Sequence, residues 1–145
     1  MTHAVAALRE IQPSFMRWTA GGVMLIEGLT FLTAASLHLG ARIQMGSMML
    51  DEPAILPAAR VEIVCGLGLV GAAVVLLSQM KGGWLASMVA HLLAAGGVLL
   101  GMAALAAGRG PRTASNDAYH LTILIALVTG AALLATPPVR VALRR

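Results

Sequence analysis

Five ionisable side chains stand inside apolar sequence: Glu27, His38, Glu62, His91 and His120, with Asp117 just ahead of the last. Ionisable groups are costly in a bilayer unless they are paired or hydrated, so each one asks for a partner or a task. Imidazole and carboxylate together suit three chemistries. They can ligate a transition metal, they can exchange a proton, and they can hydrogen-bond a small ligand. Asp117 and His120 are spaced i, i+3 and share a helix face, in the acid-x-x-His order used by metal sites. Glu62 and Cys65 have the same spacing. Glu27 and His38 are 11 residues apart, about three helical turns, and so also share a face. The expected metal set is Glu27, Glu62, His91, His120 and Asp117. His38 and His120 are the expected cofactor-binding pair, which at one depth could serve as axial haem ligands.

Helices must position these groups. The chain has 145 residues, 59% hydrophobic and 11% charged. A soluble domain carries about a quarter charged residues, so a water-soluble fold is excluded. Disorder is excluded as well, because it needs low hydrophobicity. A span takes roughly 20 apolar residues, and four stretches qualify, at about 18–40, 57–79, 84–107 and 118–136. The connections between them are short, which predicts an all-α, four-helix up-and-down transmembrane bundle in one domain. Span one is read as a retained helix: it is longer than a signal-peptide core and contains Glu27. The segment before it is helix-compatible up to Pro13 and suits the membrane surface.

Counting along the spans sorts the polar groups into two layers. Glu27 and His91 fall near mid-membrane, while His38, Glu62, His120 and Asp117 fall near the other end. Ser115, Asn116 and Asp117 are all good helix N-caps, so a capping role competes with ligation for Asp117. Glu62 and Arg60, two apart, face different directions. Gly97 and Gly101 form a GxxxG, read as packing inside the bundle in preference to a dimer face. Met45, Met48 and Met49, with His38 and Cys65, outline a soft-donor site that would suit Cu(I), although methionine is also an adaptable apolar filler.

The net charge of +4 reflects membrane topology, not nucleic-acid binding. Arg9, Arg17, Lys81, Arg140, Arg144 and Arg145 fall on one side, and Arg42, Arg60, Arg109 and Arg112 on the other. The richer side is expected to be cytoplasmic, with both termini there. Trp18 and Trp84 fall at that boundary and Tyr119 at the opposite one. The sequence has no P-loop, CxxC or HExxH.

The second span begins Val61-Glu62-Ile63-Val64-Cys65-Gly66-Leu67-Gly68-Leu69-Val70. A Glu near the start of helix two, followed by a Gly-Leu-rich run, resembles the DoxX-like small four-span bacterial membrane proteins. That resemblance implies a helical bundle in the bacterial inner membrane, association with redox or stress complexes in some members, and Glu62 as a polar-site residue. The expected function is a small polytopic membrane protein whose Glu/His interior binds a metal, a haem or a small redox ligand. The alternatives are an accessory or structural subunit of a larger membrane complex, and a proton or solute transport component; the expected partners are the lipid bilayer and a second copy of the chain or a partner membrane subunit.

Overall fold

The fold was analysed on a computed structural model that describes residues 2–144, with side chains described except at residues 2–12, 45 and 48. The elements in chain order are α1 (Thr2–His38), β1 (Ile43–Met45), β2 (Met48–Leu50), α2 (Leu56–Leu77), α3 (Gly83–Ala106), α4 (Ala114–Ala135) and α5 (Pro137–Leu143). Four of these helices are long and apolar enough to cross a membrane: Pro13–His38 within α1, and α2, α3 and α4 in full. The molecule is a four-helix membrane bundle.

Large apolar side chains point outward along every span. Ile26 is 68% exposed, Val64 71%, Leu93 67% and Ile125 59%. In water such a surface would drive aggregation, whereas in lipid it is the solvated face. The interior holds Met24, Phe31, Leu69, Leu76 and Leu127. The closest helix pair is α1 with α2, where Gly28 and Gly66 face each other. A Cβ at Gly28 would lie 3.0 Å from the Gly66 carbonyl, and one at Gly66 would lie 2.9 Å from the Gly28 carbonyl. Small residues at a crossing let backbones meet, which is how membrane helices gain packing contacts without a hydrophobic drive.

Several boundaries differ from the sequence reading, each for a local reason. The first span begins at Pro13, five residues before the expected start, and the helix continues N-terminally through that proline instead of stopping at it. Spans two and three are each shifted by a residue or two. Helix α4 begins at Ala114, four residues early, because Thr113 is its N-cap: the Thr113 Oγ1 accepts from the Asn116 N–H at 3.1 Å. The cap therefore precedes the Ser115-Asn116-Asp117 triplet. Residues 43–50 form an antiparallel hairpin that pairs Ile43 with Leu50 and turns at Gly46, whose φ is +60°. Beyond the fourth span, Pro137 and Pro138 start the short helix α5, which buries Leu143 against the bundle.

Candidate functional site

The middle layer is a pair. Glu27 on α1 and His91 on α3 are 4% and 2% exposed, and Glu27 Oε2 lies 3.3 Å from His91 Nε2. His91 Nδ1 donates to the Ser87 carbonyl at 2.8 Å. A carbonyl can only accept, so Nδ1 carries a proton. Nε2 then either accepts from a protonated carboxyl or donates to a carboxylate. Neither Glu27 oxygen has a well-aligned hydrogen-bond partner. The imidazole rests on the α4 backbone at Gly130.

The second layer surrounds a cavity of about 180 Å³, bounded by α1, the starts of α2 and α4 and the end of α3. Its polar lining includes His38, Glu62, Asn116, Tyr119 and His120, and exposed Pro57, Leu100 and Arg109 stand at the rim. His38 Nε2 and Glu62 Oε1 are 3.6 Å apart and both residues are buried. Glu62 Oε2 and the Tyr119 hydroxyl are buried with no hydrogen-bond partner. Such atoms are rare in folded proteins, and each one calls for a specific explanation. Phe31 packs edge-on to Tyr119, with ring centroids 6.4 Å apart.

The three histidines of the bundle are held alike. His38 Nδ1 donates to the Pro53 carbonyl at 3.1 Å, and His120 Nδ1 donates to the Asn116 carbonyl at 2.9 Å, as His91 does to Ser87. Anchoring Nδ1 to a carbonyl fixes the ring and presents Nε2 as the working nitrogen. The two glycines of the GxxxG make room for these groups. A Cβ at Gly101 would lie 3.0 Å from His120 Nε2, and one at Gly97 would lie 2.8 Å from Cys65 Sγ. The motif thus packs within the bundle.

A strap closes the cavity end. Residues 51–55 run from the hairpin to α2, with the Ile55 N–H donating to the His38 carbonyl at 3.0 Å. The Glu52 carboxylate accepts from the Thr113 hydroxyl at 2.9 Å and also from the Ser115 hydroxyl. This ties the strap to the cap of α4.

Of the residues singled out from sequence, Glu27 meets His91, and His38 and Glu62 meet beside His120. Asp117 does not join them. Its carboxylate faces Arg112, with an Arg112 nitrogen 2.9 Å from Oδ2. Hydrogen bonding to Asp117, reinforced by its charge, raises the exposed Arg112 guanidinium above its ordinary value. Among the described residues, no group of three or more His, Cys, Asp or Glu is placed to hold a metal ion. Cys65 packs on Gly97 and Met49 is exposed, while the side chains of Met45, Met48 and Arg9, and Arg145, lie outside the described residues. Sequence reasoning missed Glu52, Pro53 and Gly130, and it took Tyr119 only as an interface aromatic. Comparison with known protein families, with curated proteins and with solved structures yields no match.

Proposed function

We propose that this chain is a small bacterial inner-membrane binding protein, related to the DoxX-like proteins, with both termini cytoplasmic. Its ligand is a single ring bearing carbonyl or hydroxyl groups, the chemistry of a quinone or phenol. One observation carries this reading: a mostly apolar cavity of about 180 Å³ lined by Glu62 and Tyr119, whose carboxyl oxygen Oε2 and hydroxyl are buried without a hydrogen-bond partner. A dry cavity of roughly 150 Å³ is known to hold one benzene ring, so size restricts the ligand to about that scale. A haem is too large for this space, and His120 Nε2 is turned to Gly101. His38, Glu62, Tyr119 and His120 hydrogen-bond the ligand at its polar edges, and the exposed rim at Leu100 admits it from lipid. A metal has less support, because the Glu and His residues come in pairs and not in larger groups.

The test is calorimetric titration of the purified full-length protein, in detergent, with a short-chain benzoquinone. Saturable binding is expected, lost in Ala104→Phe, which fills the cavity, and weakened about fivefold in Tyr119→Phe, the worth of one hydrogen bond. Equal uptake by wild type and Ala104→Phe overturns the reading, and so does stoichiometric metal by elemental analysis without quinone binding.

The middle pair supports a second role. Neither Glu27 nor His91 lines the cavity. We read their contact as a structural tie between α1 and α3, such as an accessory subunit would need.

A further inference from the structure

At the end of the bundle opposite the cavity, two prolines set up an unusual cluster. Helix α4 leaves the Leu133 and Leu134 carbonyls without their i+4 donors, because Pro137 and Pro138 have no N–H. Thr136 serves Leu133, through its N–H at 3.1 Å and its hydroxyl at 2.7 Å. Trp84 serves Leu134, its indole Nε1 donating at 2.8 Å. The indole is thereby locked at the start of α3. Two guanidiniums from α5 and its end lie over that ring, Arg144 at 4.1 Å from the centroid and Arg140 at 5.2 Å.

Two like charges on one ring repel each other, and cation–π attraction offsets this only in part. Neither guanidinium has an acidic partner among the described residues. The described acidic side chains outside the membrane, Asp51, Glu52 and Asp117, stand at the opposite end. The cluster also lies at membrane-surface depth, since Trp84 opens span three and Leu143 of α5 is buried against the bundle. Exposed Trp18 marks the same boundary on α1. The cluster therefore presents two positive charges at the lipid–water interface.

We propose that Trp84, Arg140 and Arg144 form a binding site for the phosphate of an anionic phospholipid headgroup. The phosphate sits between the two guanidiniums, whose planar donors match its oxygens. The acyl chains run down the exposed apolar side of α3. The indole holds both arginines in place before the lipid arrives, which lowers the ordering entropy of binding.

Native mass spectrometry of the full chain, released from detergent with equal dioleoyl-phosphatidylglycerol and dioleoyl-phosphatidylcholine, tests this. Preferential retention of the anionic lipid is expected. Arg140→Gln/Arg144→Gln reduces that preference roughly thirtyfold, given the usual strength of a juxtamembrane cation. Arg140→Lys/Arg144→Lys keeps part of it, Arg42→Gln/Arg60→Gln keeps all of it, and millimolar inorganic phosphate does not displace the lipid. Equal retention of both lipids overturns the proposal. So does an equal loss in Arg42→Gln/Arg60→Gln, which would mean bulk charge, or displacement by inorganic phosphate, which would mean a free-anion site. If the glutamine variant loses its helical signal, the wild-type lipid competition and the lysine variant decide the matter.

Discussion

A methyl group added at Gly130 would sit 2.5 Å from His91 Nε2: the α4 backbone is the wall against which the buried imidazole rests. Three helices therefore fix the middle pair, with α1 supplying the carboxyl, α3 the ring and α4 the backing.

Gly130→Ala is expected to destabilise the bundle by about 1–3 kcal/mol, the usual effect of overpacking. Gly96→Ala, where a Cβ meets nothing within 4 Å, is the neutral comparison. Unfolding in mixed detergent and SDS micelles reads both. In a His91→Ala background the added cost of Gly130→Ala should largely vanish, because the clash partner is gone.

Glu27→Leu and His91→Leu should each destabilise by roughly 3–5 kcal/mol, since each leaves a buried polar group without its partner. The double leucine variant should be far closer to wild type than the sum of the two predicts. A double-mutant cycle measures this coupling. Additive losses would show that the 3.3 Å contact is not an energetic pair.

Tyr119→Phe removes a buried hydroxyl that has no partner. Stability without ligand should stay within about 1 kcal/mol of wild type or rise, because no hydrogen bond is lost and a desolvated group is removed. Thermal unfolding followed by circular dichroism checks this independently of any ligand titration.

Glu52→Ala should free the strap. Hydrogen exchange at the Ile55 amide, which is bonded to the His38 carbonyl, is expected to quicken, while amides in the middle of α2 keep their protection. By contrast Asp117→Asn should leave the exchange pattern nearly unchanged, because the Arg112 pair is exposed and screened by solvent.

The sequence made the spans and their two polar levels legible for one reason. Hydropathy run length and the 3.6-residue repeat are local properties that survive folding into lipid. The same counting placed Glu27 level with His91, and the structure joins them. It could not place partners supplied by the main chain. Pro53 enters the site through a carbonyl, and Gly130 enters by what it lacks, so no residue type advertised them. Helical spacing pairs Asp117 with His120, but Arg112, in the loop just before the helix, competes for a carboxylate at a helix start and takes it. The short helix α5 was illegible because Thr136-Pro137-Pro138 reads as a stop, although a proline pair can equally open a new helix. The cap fell on Thr113 because a hydroxyl ahead of three further polar residues can satisfy the first free N–H groups before they do.

The ring of Phe31, 2% exposed and edge-on to Tyr119, is the last cavity residue on α1 before Glu27 one turn deeper. It makes the vestibule blind. Water entering from the rim should therefore stop at this ring, leaving the Glu27 level dry enough to act as an electrical insulator. Vesicles carrying the protein should accordingly hold a proton gradient as long as empty ones, and Phe31→Ala is the change that would make them leak.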